Sequence, residues 1–357
     1  MRRLSWLLLG TLVLSATGCG PHSLHKDVAM STQLPTQKHC FGRYEIELPN
    51  FMYMKSGNYS FENFDIEIVT ALKSDRPTIE KDWRAYINRK IAPDEKADGI
   101  WKGSKLIIED MKRNPRVMVE YLNTSASPDT DLSSMYVFKP YYLLSIKDRH
   151  EWILATGTWI NAPRSMGEGN AQSEVKNKIN AQASDIAKIA YHKYPHYEQG
   201  YCLNDEYQYY PGRLEKRDDY TIIWRGTTGS ADTHSRITLN LESLNKDEQS
   251  VLDSRISKGK LLRTFFSSTT VVVGGIKGEL YVSHAKLNPT AREFQWLPSG
   301  TELGNRLKPL IMIDGRIDTH DFPAEYRDKI SGEEMILWIL ESIKMRTGGD
   351  EDILSHR

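Results

Sequence analysis

The sequence predicts an α+β fold of two similar domains, each an antiparallel sheet packed with helices. Three observations carry this. Cys40 is followed nine residues later by Pro49, and Cys202 is followed by Pro211 at the same spacing. After each of these openings the chain repeats one order of elements: a strand, a charged helical stretch, several strands, and a closing helix. The strands are short and joined by short loops, which favours antiparallel pairing over crossovers through helices. Such a repeat reads as an internal duplication of a sheet covered by helices.

Ahead of the first opening the chain is different in kind. Arg2 and Arg3 precede an almost wholly apolar run over 4–15. That run is too short to cross a bilayer and suits the apolar region of an export signal. Ala16, Thr17 and Gly18 lead into Cys19. Small residues before a cysteine are what a lipoprotein signal peptidase cuts, leaving the thiol to carry diacylglycerol. The plainer alternative is a secretory signal with a chance cysteine. Residues 1–18 are read as a lipoprotein signal peptide and Cys19 as the lipidation site, anchoring the chain to a membrane. Buried acyl chains contribute about 0.8 kcal/mol per CH₂. Gly20 in place of an aspartate favours the outer membrane. The polar, patternless stretch 19–38 reads as a flexible tether.

The first domain, 39–197, is expected to hold strands at 64–70, 104–109, 116–121, 134–138, 141–146 and 150–159. Segment 64–70 shows the apolar–acidic alternation of a half-buried strand. Helices are expected at 79–89 and 173–192. Pro195 and Gly200 punctuate the junction. The second domain, 198–347, repeats the order with a strand at 237–241, a helix at 246–264, and strands at 268–274, 277–283, 293–297 and 310–313. A helix over 331–345 closes it, opened by the capping box of Ser331 and Glu334. Residues 348–357 form a polar tail.

Composition narrows the function. The 47 basic and 47 acidic residues leave no basic excess for a nucleic-acid partner. With Cys19 assigned to lipid, Cys40 and Cys202 remain. The export signal places them in an oxidising compartment, where an intramolecular disulfide is expected; free thiols or an intermolecular bond are the alternatives.

No strong catalytic motif is present. The chain lacks a G-x-S-x-G nucleophile elbow and a phosphate-binding P-loop. His150-Glu151 begins like a zinc-protease motif, but Leu154 stands where the second histidine belongs. His192 and His196 flank Pro195, which breaks the helix needed to align them. Gly274-Gly275 reads as a hairpin turn more than a phosphate loop. Tyr207, Tyr209 and Tyr210 with Trp224 suit either a binding surface or a half-exposed strand face. No catalytic residue, metal ligand or cofactor site is assigned, and the chain is not read as an enzyme.

The motifs that remain resemble a family. Cys40-Phe-Gly42-Arg43-Tyr-Glu-Ile-Glu-Leu-Pro49 is similar to the opening of immunity proteins that neutralise type VI secretion lipase effectors of the fourth class. Further along come a Gly-rich segment into Gly278-Glu279, then Phe294-Gln-Trp296, then an apolar strand over 309–315. Leu337-Trp338 and Ser342-Ile-Lys-Met-Arg346 complete the order. The likeness covers about 40–347. Ile339 departs from it, since family members often carry an acidic residue there, and the middle of each half matches only in pattern. Gly42, Arg43, Pro49, Gly278, Glu279, Trp296, Trp338 and Arg346 are the residues the resemblance marks, all in structural roles, beside the Cys40 and Cys202 pair expected to bond. It implies a two-domain periplasmic inhibitor, with no nucleophile of its own, that binds a secreted phospholipase effector through a groove between the domains. A structural or assembly lipoprotein of the cell envelope is the alternative.

Overall fold

Alternating apolar and polar residues build the centre of the fold. The structure is a computed structural model that describes residues 34–346, except 69–77, 79–80, 86, 88–100, 125–134, 147–150, 192–199, 212–214, 216, 228–233, 264–267 and 287. The first half runs β1 (Thr36–Phe41), β2 (Tyr44–Pro49), β3 (Met52–Phe61), β4 (Phe64–Ile68), β5 (Trp101–Asp110), β6 (Arg116–Thr124), β7 (Met135–Ile146), β8 (Glu151–Gly157), β9 (Ile160–Pro163), α1 (Glu168–Ile186) and β10 (Ile189–Tyr191). Residues 81–85, between β4 and β5, are helical. The second half runs β11 (Tyr201–Cys202), β12 (Tyr207–Tyr209), β13 (Asp218–Gly226), β14 (Arg236–Glu242), α2 (Gln249–Arg263), β15 (Ser268–Val273), β16 (Ile276–Ala285), β17 (Asn288–Pro298), β18 (Leu310–Asp318), α3 (Gly332–Ser342) and β19 (Lys344–Met345).

Thirteen of the described strands form one antiparallel sheet in the order β15-β16-β17-β18-β14-β13-β3-β4-β8-β7-β6-β5, with β9 beside β7. The fold is therefore mostly antiparallel sheet with few helices. The expected separate sheets are joined. β3 and β13 pair from Phe61↔Asp218 to Met52↔Gly226. Their pairing hides two strand edges whose N–H and C=O groups would otherwise lie open. The order reads alike outward from this seam: β3, β4, β8, β7, β6, β5 on one side, and β13, β14, β18, β17, β16, β15 on the other.

Two three-stranded sheets, β1-β2-β19 and β10-β12-β11, each combine strands of both halves. The opening hairpins are thereby exchanged. Phe41 of the first hairpin meets Trp224 edge-on at 5.5 Å, and Tyr44 lies against Gly274. Tyr209 of the second hairpin packs on Phe61 at 4.7 Å and on Phe64 at 5.1 Å. The hairpins and α3 cover one face of the large sheet, over a core that includes Tyr59, Phe61, Tyr220, Trp224 and Trp296. On the opposite face Trp83 and Ile87 pack against Met118, Tyr141, Leu143 and Trp152.

Several expected elements shift. Segments 134–138 and 141–146 are one strand, β7. Pro140 sits where β7 passes from pairing with β9 to pairing with β8, an interruption that tolerates a residue without N–H. The helix expected to reach residue 192 ends at Ile186, because β10 then pairs with β12, Ile189 opposite Tyr209. β1 begins at Thr36, inside the stretch read as tether. The capping box of α3 forms: Ser331 Oγ accepts the Glu334 N–H at 3.1 Å, and Glu334 Oε2 accepts the Ser331 N–H at 2.9 Å. Gly274 and Gly275 turn the β15–β16 hairpin at φ of 56° and 83°, conformations that favour glycine.

Candidate functional site

The seam between the halves presents an open polar cleft. Gly57, Tyr59 and Phe61 of β3 alternate with Asn58 and Ser60, so the latter pair faces away from the core. Thr221 and Asp219 stand opposite them on β13. The cleft encloses about 760 Å³ and is also lined by Asp65, Lys139, Thr156, Asn240, Glu242, Arg217 and, from α2, Val251 and Arg255.

Its charges are mostly matched. Arg217 Nε lies 2.6 Å from Asp219 Oδ2, and Arg255 Nη2 lies 3.0 Å from Glu242 Oε1. Ser243 donates its N–H to Asp219 Oδ1 at 2.8 Å, and Thr221 donates its hydroxyl to Asn240 at 3.0 Å. Burial pushes the Asp219 carboxyl above its ordinary pKa, against the pull of Ser243 and Arg217. Lys139 lies 4.7 Å from the exposed Trp159 ring. Among the described residues the lining includes hydroxyls but no histidine. Such a surface offers hydrogen bonds and charge to another polar surface. Among the described residues, no group of three or more His, Cys, Asp or Glu is placed to hold a metal.

The motif residues lie elsewhere, and Cys40, Gly42, Arg43 and Arg346 meet Cys202 in one buried knot. A disulfide joins Cys40 and Cys202, with Cα atoms 5.8 Å apart. Gly42 and Cys202 exchange backbone hydrogen bonds of 2.6 and 2.7 Å, so the bond crosses where the two hairpins touch. Arg43 Nε donates to Asp218 Oδ2 at 3.0 Å, with both side chains out of water. Asp218 also accepts from the Tyr220 hydroxyl at 2.8 Å and from the Ser243 hydroxyl. Burial opposes the Arg43 charge, but Asp218 and nearby tyrosines outweigh it and hold its pKa above the ordinary value. Arg346 donates its backbone N–H to the Arg43 carbonyl at 2.9 Å and its guanidinium to the Gly200 carbonyl. Gly42 has φ of 49°, and a Cβ there would fall 2.2 Å from the Tyr220 ring.

The remaining marked residues stand apart from the knot. Pro49 ends β2, buried, opposite Thr36. Trp296 is fully buried, donates Nε1–H to the Val271 carbonyl at 3.2 Å, and leaves room for no side chain at Gly278. Glu279 accepts the Tyr281 hydroxyl. Trp338 is half-buried against the core, while Ile339 is fully inside it, which suits an apolar residue at the position that departs from the family pattern. Cys19, His150, His192 and His196 lie outside the described residues. Tyr207, Tyr209 and Trp224 are core residues; of that aromatic group only Tyr210 is exposed. Asp218, Tyr220 and the seam strands β3 and β13 were not singled out from sequence. The alternation Tyr220, Ile222, Trp224 was the available signal for β13.

No protein-family model matches the chain, and no curated protein matches it. Among solved structures it is similar to the apo form of the immunity protein TplEi of the type VI secretion system from Pseudomonas aeruginosa. That likeness has a TM-score of 0.53 and 15% identity, covering 88% of this chain and 98% of that one. It is also similar to a chain in the crystal structure of the Tle4–Tli4 complex, with a TM-score of 0.52, 14% identity, and coverage of 88% and 98%. At these identities the likeness is one of fold. The chain thus resembles type VI secretion immunity proteins in architecture as well as in motif order.

Proposed function

We propose that this chain is an immunity protein that binds and inhibits a type VI secretion phospholipase effector on the periplasmic side of the envelope, and is not itself an enzyme. The observation that carries the reading is the fold likeness to an immunity protein, which spans 98% of that chain. The motif order and the buried knot support it, because Cys40, Gly42, Arg43, Cys202 and Arg346 hold the two halves in a set relation. The cleft at the seam, about 760 Å³ and open, is the surface assigned to the effector. A stable complex of standard size buries about 1,600 Å² in total, so contacts extend beyond the cleft onto the same sheet face. The mirrored strand order fits an internal duplication into halves 39–197 and 198–347. Cleavage before Cys19 and acylation of its thiol would hold the inhibitor at the outer membrane, raising its effective concentration where the effector's substrate lies.

The reading expects a secreted lipase gene beside this one, and the test is co-expression of the two in the periplasm. Protection from lysis, with one tight complex on purification, is the expected outcome. Lysis at the same rate with and without the protein refutes the reading.

A further inference from the structure

Three arginines stand side by side on the exposed face of the second half. Arg225 of β13 is directly opposite Arg236 of β14, and Arg236 is directly opposite Arg316 of β18. Tyr53 of β3, 44% exposed, extends the row beyond Arg225. Arg225 shares the face of Thr221 and Asp219, since the intervening Ile222 and Trp224 point into the core. The row therefore continues the face of the seam cleft.

Like charges directly opposite in a sheet are destabilising. Here the arrangement occurs twice in succession. Among the described residues none of the three guanidiniums closes an ion pair. Glu293 stands opposite Arg316, and Asp314 is near enough to feel the charge of Arg236, yet neither forms a salt bridge with the row. The Nε–H groups of Arg225 and Arg316 are withdrawn from water and, among the described residues, donate to no acceptor. Glu293 and Asp314 offset part of this repulsion, but the row closes no ion pair among the described residues, and its forks are matched to an anionic surface.

Residue type and spacing narrow the anion. Arginine presents a planar fork that binds carboxylate or phosphate through two hydrogen bonds. Neighbouring strands set paired Cβ atoms about 4.5–5.5 Å apart. Helix positions three or four apart have Cβ atoms about 5–6 Å apart. Same-face residues of an extended strand are roughly 6.7 Å apart, a poorer match. Tyrosine beside arginine is also the composition of protein–protein hot spots. We propose that Arg225, Arg236 and Arg316 form a docking strip for an acidic helix on the partner protein, with carboxylates on successive turns. This rests on the binding role proposed above and specifies the partner's chemistry.

The test uses the full mature chain and a labelled helical peptide carrying glutamates at i, i+4 and i+8, with a glutamine peptide as control. Fluorescence anisotropy at low salt reads binding. The expected result is that the glutamate peptide binds and the glutamine peptide does not. Arg225→Gln/Arg236→Gln/Arg316→Gln should weaken binding at least 10-fold while leaving the melting temperature unchanged or higher, since repulsion is relieved. Arg236→Glu, at an exposed position, serves as a second variant with the same expected direction. Equal binding of both peptides, or undiminished binding by the variants, overturns the proposal. Row-dependent binding to phosphatidylglycerol vesicles, with no binding of the glutamate peptide, overturns it in favour of a membrane contact. Protection from the lipase is scored separately, so a chain that protects but ignores the peptide refutes the strip alone. A chain that binds the peptide through the row but gives no protection refutes the immunity reading alone.

Discussion

Asp218→Asn keeps the shape of a buried side chain and withdraws its charge from three hydrogen-bonded neighbours. In the native chain Asp218 is fully buried and accepts from Arg43 at 3.0 Å, from Tyr220 at 2.8 Å and from Ser243. The variant leaves the Arg43 guanidinium in the core without a counter-charge. Removing one partner of a buried ion pair costs about 3–5 kcal/mol. Against a total stability of about 5–15 kcal/mol, that shifts the folded-to-unfolded ratio by roughly a thousandfold. Urea unfolding followed by tryptophan fluorescence, with the disulfide intact, measures it. The double variant Arg43→Met/Asp218→Leu should recover at least half of the loss, because apolar replacement of both partners is often neutral or better. A loss below about 1 kcal/mol for Asp218→Asn would contradict the ledger of a desolvated, charge-dependent knot. So would a double variant as unstable as the sum of its singles.

Further outcomes follow from the same geometry. Cys40→Ser/Cys202→Ser removes a link across a sequence separation of 162 residues. Loop-closure entropy values that at about 5 kcal/mol, so the variant should melt well below the parent and expose its hairpins to protease first. Equal melting temperatures would show that the crossing holds without the bond. Gly42→Ala places a Cβ 2.2 Å from the Tyr220 ring at a positive φ and should lower stability by about 1–3 kcal/mol. Gly275→Ala, also at a positive φ but in open space, should lose only the share owed to backbone strain; comparable losses at both sites would remove the steric explanation. Burial pushes the hydroxyls of Tyr59, Tyr142, Tyr201 and Tyr220 above their ordinary pKa. Their folded values exceed their unfolded values of about 10. The associated stability is full below pH 10 and declines as pH rises above it. Absorbance at 295 nm at pH 11 should therefore show fewer tyrosinates in the native chain than in urea; equal numbers would mean these hydroxyls reach water.

Local pattern sufficed for elements whose signals lie within a few residues. The Ser331 capping box, the Gly274-Gly275 turn and the apolar–acidic strand from Phe64 are short-range chemistry, and each stands where its residues place it. The two strands that join the halves were harder to read. β3 is interrupted by Gly57 and by a bulge opposite Ile223 and Trp224, which blurs its period of two. The aromatic cluster Tyr207, Tyr209 and Trp224 was ambiguous for a related reason. A strand face pattern does not say which face is covered, and here the exchanged hairpins cover it.

What the sequence by itself determined is the antiparallel, strand-rich character of the chain, the pairing expected of Cys40 and Cys202, and the motif series that resembles immunity proteins. Only the tertiary structure decided that the halves share one sheet, that their opening hairpins are exchanged, and that Arg43 finds Asp218 across 175 residues. It alone set Arg225, Arg236 and Arg316 in a row. The physical reason is that strand partners and buried ion pairs are selected by the geometry of burial over the whole chain. Periodicity and spacing report only on neighbours along it.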